Sequence, residues 1–242
     1  MKKEKMNVGL ILSGGVGTRA GCDIPKQYVK IGKQCVITYC LETMLYHEML
    51  DVIQIVADEA WHPIIEQEIV CVKEKYGENS MRRYEFSKPG INRQLSILNG
   101  LRDIACYADQ DSMVMIHDAA RPMLSSTMIT EYLEAAKHHD GVIPVLPMKD
   151  TVYVSSNGSS ITGLLKRNQI FAGQAPELFR LGKYLKANEA LLPDNILQIN
   201  GSTEPAVLAG MDVAMVPGCE TNFKITTPED LVHFQKIVEG MA

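Results

Sequence analysis

The sequence predicts an α/β protein with a single doubly wound, mostly parallel sheet, and three observations lead there. Apolar runs of strand length alternate with stretches of helical period, the links between them are short, and the first run ends in a glycine-rich loop. Such alternation sets strands parallel and gathers ligands at their carboxyl ends, where the loops converge. The chain of 242 residues, 46% hydrophobic, is long enough to bury the core of one large domain spanning 1–242.

Residues 8–12 form an apolar run cut off by Gly14, Gly15 and Gly17, which makes it a buried strand rather than a helix. Residues 37–45 have helical spacing, 51–57 read as an apolar strand, and 63–76 as an amphipathic helix. The rhythm continues with a helix at 93–104, a strand at 112–116, a helix at 127–137 and a strand at 141–145. It breaks between Pro144 and Leu165, where β-like runs at 151–154 and 161–164 flank Asn157-Gly158, a strong hairpin signal. A hairpin arm, about residues 148–172, is therefore expected to protrude from the sheet. Residues 213–216 read as a strand, and Thr227-Pro228-Glu229-Asp230 offers an N-cap, a proline at the first helical position and an acid three residues after the cap.

Composition narrows the function. A net charge of -5 without any basic stripe argues against a nucleic-acid partner. No stretch approaches the ~20 apolar residues of a membrane span, and the apolar run after the N-terminal MKKEK is too short for a signal segment. A soluble, cytoplasmic protein is expected. The six cysteines are scattered, with no C-x-x-C pair and no His at zinc spacing, so reduced thiols and no protein metal centre are expected.

The first loop, Ser13-Gly14-Gly15-Val16-Gly17-Thr18-Arg19, followed by Pro25-Lys26-Gln27, carries the clearest chemistry. Closely spaced glycines let backbone N–H groups approach a ligand without Cβ interference. Arg19 adds a planar fork and Lys26 a compact point charge, a combination suited to a nucleoside triphosphate. An ordinary glycine turn with two solvated cations is the plainer alternative. The Walker pattern is absent, since no Gly-Lys-Ser or Gly-Lys-Thr occurs. Gly15-x-Gly17-x-x-Ala20 fits the dinucleotide fingerprint loosely, but Cys22-Asp23-Ile24-Pro25 is a poor first turn of a helix.

Two further segments lie on the same edge of the sheet. His117-Asp118-Ala119-Ala120-Arg121-Pro122 follows a strand, and Asp118 is suited to ribose hydroxyls or magnesium. His117 is a candidate general base, although a lone His beside an Asp more often has a structural use. Gly90-Ile91-Asn92-Arg93-Gln94-Leu95-Ser96 opens a helix whose first amides, with Ser96, can hydrogen-bond a base or a phosphate.

These segments together resemble the cytidylyltransferases that act on methylerythritol phosphate and on ribitol phosphate. The first loop matches A-[AG]-G-x-G-x-R-M then P-K-Q, with Ala20 in place of methionine, and H-D-A-A-R-P stands unchanged. G-x-x-R-x-x-S recurs at 90–96, and Asn222 to Asp230 matches N-I-K-[VI]-T-x-P-E-D. The resemblance runs from Val8 to about Val238 in five ordered motifs.

It implies a Rossmann-like nucleotidyltransferase fold in which CTP and a polyol phosphate give a CDP-polyol and pyrophosphate. Arg19, Lys26 and Lys224 would be the catalytic cations, with the loop of Gly15 and Gly17 around the β and γ phosphates. Ser13, Gly14, Gly90 and Ser96 would hold cytosine, and Asp118 with Ala119 the ribose side. Mg2+ would be bound mainly through the CTP phosphates. The arm would exchange in a homodimer, Thr151 and Arg167 reaching the acceptor's phosphate in the neighbouring site.

The R-N-x-x-[FY]-x-G-Q-x-P form at 167–176 is closer to the ribitol-phosphate enzymes than the D-R-x-x-[LW] form. The acceptor side departs from the methylerythritol pattern at Thr221, preceded by Glu220, and at Ser202-Thr203-Glu204-Pro205-Ala206. Ribitol 5-phosphate or a related surface-polysaccharide precursor is the expected acceptor, with 2-C-methyl-D-erythritol 4-phosphate of isoprenoid synthesis as the alternative. A non-catalytic nucleotide-binding or regulatory protein is the reading from another class.

Overall fold

The structure, a computed structural model, describes residues 3–15 and 24–241. Its centre is β1 (Asn7–Leu12), flanked in parallel register by β4 (Val52–Val56) and β6 (Met113–Asp118), with β5 (Arg83–Ser87) parallel at one edge. Beyond β6 the sheet turns mixed. The short β11 (Glu177–Arg180) runs antiparallel between β6 and β7 (Gly141–Pro147), β10 (Phe171–Gly173) pairs antiparallel with the far end of β7, and β12 (Val213–Pro217) pairs parallel with β7. The mostly parallel sheet is the predicted one.

Helices cover both faces, which is why the central strands are apolar at nearly every position rather than alternating. Ile11, Ile53, Ile55 and Met115 pack on one face with α1 (Val36–Leu45), α2 (His62–Tyr76) and α4 (Ser126–Ala135) through Leu41, Ile65 and Ile129. On the other face Val8, Leu10, Val114 and Ile116 meet α3 (Arg93–Tyr107) and α5 (Leu181–Glu189) through Ile97, Leu101 and Tyr184. Each such buried aliphatic side chain contributes roughly 1.5–3 kcal/mol. The closing helix α7 (Pro228–Met241) packs Leu231 and Phe234 against Val36 and Ile225.

Boundaries moved where pairing outlasts the apolar run. β6 runs past residue 116 through His117 and Asp118, because both keep parallel register with Ile11 and Leu12. This extension carries Asp118 to the carboxyl edge. The strand Arg83–Ser87 has a mixed burial pattern because it pairs on one side only, with β4.

The chain leaves the sheet after Pro147 and rejoins it at Phe171, which pairs with Pro147, while Met148 N–H donates to Ile170 O at 3.1 Å. Residues 148–170 form the excursion, slightly shorter than the expected arm. Within it β8 (Tyr153–Val154) pairs with β9 (Gly163–Leu164). The tip between them spans residues 155–162, slightly wider than the 155–160 left between the expected runs. Asn157 Oδ1 accepts from the Ser159 and Ser160 amides, both at 3.0 Å, taking the place of strand pairing, and Gly158 supplies the left-handed φ of +72°.

Candidate active site

The first wall of the site is the end of β1. Ser13 donates its N–H to Val56 O at 2.8 Å, and its carbonyl accepts from Gln27 Nε2 at 2.8 Å and Tyr28 Oη at 3.1 Å. Gln27 Nε2 also donates to Gly15 O at 2.8 Å, so one buried amide staples both ends of the Ser13–Gly15 turn. Pro25 makes this possible by opening a 3-10 turn, Lys26–Tyr28, that buries Gln27 and Tyr28 while Lys26 lines the cleft. The Tyr28 ring stacks on Trp61, and burial pushes its hydroxyl up to about 12, so it stays a neutral donor. Gly17 and Arg19 lie outside the described residues.

The second wall is the connection from β5 to α3. A Cβ on Gly14 would stand 2.6 Å from Pro89 Cβ, so glycine there lets the two walls close up. Gly90 N–H donates to Ser96 Oγ at 3.0 Å, Ser96 Oγ donates to Asn92 O at 2.9 Å, and Asn92 Oδ1 caps α3 by accepting from Leu95 N–H at 2.8 Å. A Cβ on Gly90 would meet Leu95 Cβ at 2.4 Å and the Ser96 amide nitrogen at 2.8 Å, so no larger residue fits.

Asp118 forms the floor. Arg93 donates to its Oδ1 through Nη2 at 3.1 Å and Nε at 3.2 Å, Lys224 Nζ stands 3.0 Å from Oδ2, and Arg121 Nε lies 3.6 Å away. Burial alone would raise the Asp118 pKa, but the charges of Arg93, Lys224 and Arg121 outweigh it and hold the carboxyl well below the usual carboxylate range. His117 is fully buried, and burial lowers its pKa to about 4. Its neutral ring donates Nε2–H to Arg121 O at 2.9 Å, fixing the turn after β6. That bond to backbone, and its position behind the cleft, give His117 a structural use rather than that of a base.

The last wall arrives from the C-terminal part of the chain. Ile225 N–H donates to Ala120 O at 2.9 Å and Arg121 Nη1 to Asn222 O at 2.7 Å, bringing Lys224 to Asp118. Gln174 clamps the preceding loop: its Nε2 donates to Cys219 O at 3.0 Å and its Oε1 accepts from Cys219 N–H at 2.9 Å. Asp230 Oδ2 accepts from the amides of Thr226 and Thr227, at 2.7 and 2.9 Å, so the cap of α7 also fixes Thr226.

Gly14, Gly15, Lys26, Gly90, Ser96, Asp118 and Lys224 all line one cleft of about 460 Å³, a size suited to a small-molecule ligand. Ser13 and Ala119 lie behind that lining. Every polar group of Ser13 is engaged in the turn, its Oγ with Tyr28 Oη at 2.8 Å, and the Ala119 N–H is spent on Leu12 O at 3.0 Å. Thr151 and Arg167 sit exposed on the arm, Arg167 Nη1 donating to Lys149 O at 2.9 Å, and neither lines this chain's cleft. Sequence reasoning passed over Arg93, Gln27 and Arg121. Arg93 and Gln27 stood inside motifs already singled out, and Arg121 closes H-D-A-A-R.

Asp118 is the carboxylate among the described lining residues, and no group of three or more His, Cys, Asp or Glu among the described residues is arranged to hold a metal. That donor set fits a Mg2+ carried mainly by ligand phosphates rather than by a cage of protein carboxylates.

The chain matches the family model described as 2-C-methyl-D-erythritol 4-phosphate cytidylyltransferase over residues 8–240. It is 33% identical over 226 residues, 92% of each chain, to a 2-C-methyl-D-erythritol 4-phosphate cytidylyltransferase of Geotalea uraniireducens. It is 31% identical over 236 residues, 97% of this chain and 96% of the relative, to a ribitol-5-phosphate cytidylyltransferase of Vibrio parahaemolyticus. Among solved structures, the 4-diphosphocytidyl-2C-methyl-D-erythritol synthase of Anaerococcus prevotii shares the fold at TM-score 0.79 and 22% identity, over 97% of this chain and 96% of that one. The Francisella tularensis 2-C-methyl-D-erythritol 4-phosphate cytidylyltransferase superposes at TM-score 0.75 and 25% identity, over 95% and 99%. With this match along nearly its whole length, the chain belongs to the 2-C-methyl-D-erythritol 4-phosphate cytidylyltransferase family of nucleotidyltransferase enzymes.

Proposed function

We propose that this protein transfers CMP from CTP to a polyol phosphate, ribitol 5-phosphate foremost, releasing pyrophosphate, as one cytidylyltransferase domain acting in the cytoplasm. The observation that carries the reading is the convergence of Lys26, Lys224 and Asp118 with the Gly14-Gly15 turn in one cleft. An acceptor phosphate is largely dianionic near neutral pH, so its oxygen attacks the α-phosphorus without a protein base. The new P–O bond forms as the bond to the β-phosphate oxygen breaks, and pyrophosphate leaves with that electron pair. Lys26, Lys224 and Arg19 offset the charge that builds on the five-coordinate phosphorus. In this reading Gly15 faces the β and γ phosphates, a role the sequence motif extends to Gly17, while Gly14, Gly90 and Ser96 face cytosine and Asp118 faces the ribose. Held mainly by the CTP phosphates, Mg2+ would supply further positive charge against the leaving pyrophosphate.

The preference for ribitol 5-phosphate rests on the 167–176 segment and on the Vibrio relative named for that substrate. The Geotalea relative and the family description favour 2-C-methyl-D-erythritol 4-phosphate as the second reading. The arm supports a homodimer: Tyr153, Ile161 and Leu164 are more than half exposed, an apolar set that a second copy would cover. Thr151 and Arg167 stand on the same arm, away from the cleft of their own chain, as residues lent to a neighbour would.

Nucleotide competition tests the assignment. Pyrophosphate release should favour CTP over ATP and GTP in kcat/KM by about two orders of magnitude, since a site built to hydrogen-bond one base rejects analogues that leave it unpaired. Equal use of ATP would remove the cytosine pocket, and no release from any nucleotide would favour a binding protein.

A further inference from the structure

Beneath the cleft lies a buried carboxylate that the proposed chemistry does not use. Glu177, at the start of β11, is 8% exposed, and Ser202, in the loop before the short helix Glu204–Leu208, is 1% exposed. Arg93 Nη1 donates to Ser202 Oγ at 2.8 Å, and Ser202 Oγ donates in turn to Glu177 Oε2. The direction is forced. A guanidinium has only donors, so the Ser202 oxygen must accept from it and turn its own hydrogen to the carboxylate. The other two Arg93 nitrogens both go to Asp118 Oδ1.

Ser202 is itself held. Its carbonyl accepts from Tyr184 Oη at 2.5 Å, that hydroxyl accepts from Gln94 Nε2 at 3.2 Å, and Asn188 Nδ2 donates to Tyr184 O at 2.8 Å. Gln94, Tyr184 and Asn188 are all buried, so the network rests on α3 and α5 rather than on solvent. Burial pushes the Glu177 carboxyl up, against the pull of Arg93 and Ser202. Burying a carboxylate is costly unless partners compensate, and here Arg93 and Ser202 are those partners.

We propose that Glu177, through Ser202, is a positioning residue that locks the Arg93 guanidinium onto Asp118 Oδ1 and so leaves Oδ2 as the oxygen turned to Lys224 and the nucleotide. The role rests on the cytidylyl-transfer reading of the cleft. Glu177 touches no substrate. It sets which oxygen of Asp118 is turned to Lys224 and holds that oxygen still, as outer partners of a site ligand do.

The test uses the full chain with Glu177→Gln and Ser202→Ala, each also built in an Arg93→Lys background. Kinetics of pyrophosphate release are measured beside CTP affinity by calorimetry and thermal midpoint. Each single change should lower kcat about tenfold or more, the usual cost of losing an outer-sphere partner, while CTP affinity and the midpoint stay close to wild type. In the Arg93→Lys background neither should cost anything further, because the residue through which they act is already gone. Unchanged kcat in both single variants would overturn the proposal, as would an equal further loss in the Arg93→Lys background. Should Glu177→Gln not fold, Ser202→Ala decides alone. Wild-type turnover separates the two levels: an inactive wild type removes the reading of the cleft, while an active wild type with unaffected variants removes only the positioning role.

Discussion

Lys224 Nζ stands 3.0 Å from Asp118 Oδ2, an ion pair that ties the last wall of the cleft to its floor. Both side chains line the cleft, and under the proposed function an arriving triphosphate would compete with Asp118 for the ammonium. The pair keeps Lys224 oriented into the site and compensates the buried carboxylate until a phosphate replaces it. Lys224→Met should therefore lower kcat on the order of 100-fold, the scale of one preorganised electrostatic contact, with the fold intact by circular dichroism. Near-normal turnover in that variant would remove Lys224 from the reaction.

The glycines of the two walls should behave differently. At Gly90 an added Cβ meets the backbone of Leu95 and Ser96 below 3.0 Å, whereas at Gly15 it meets nothing within 4 Å. Gly90→Ala should lower the thermal midpoint, since the clash is with backbone and overpacking typically costs about 1–3 kcal/mol. Gly15→Ala should leave the midpoint near wild type and raise KM for CTP, because only the ligand's space is taken. Equal effects of the two on stability would contradict this division.

Much of this was legible in sequence, and what was not shares a cause. The glycine loop, the H-D-A-A-R-P turn and the N-F-K-I-T segment are local signals, and they bring Gly14 and Gly15, Asp118 and Lys224 to the cleft. Arg93, Ser202 and Glu177 act on one another across large separations, 109 residues between Arg93 and Ser202, so spacing carries no trace of the network. Gln174 was read as a clue to the acceptor, yet it binds the backbone of Cys219, and any influence on the acceptor passes through that loop. The edge strand Arg83–Ser87 and the short antiparallel β11 went unread because neither has a long apolar run to mark it.

Subunit sharing gives a sharp expectation for the arm. If Arg167 serves the neighbouring site, an Arg167→Ala chain mixed with a Lys26→Ala chain yields dimers with one doubly altered site and one intact site. Activity should return on mixing two nearly inactive homodimers. No recovery in a verified heterodimer would assign Arg167 to its own subunit's site or to none.

The most direct measurement of the central claim is product analysis by phosphorus NMR and mass spectrometry after incubation with CTP, Mg2+ and one polyol phosphate at a time. Ribitol 5-phosphate should give CDP-ribitol and pyrophosphate in equal amounts, with a higher kcat/KM than 2-C-methyl-D-erythritol 4-phosphate. A reversed preference would move the protein to the second acceptor and leave the chemistry standing. Absence of any CDP-polyol or pyrophosphate, with CTP bound, would contradict cytidylyl transfer itself.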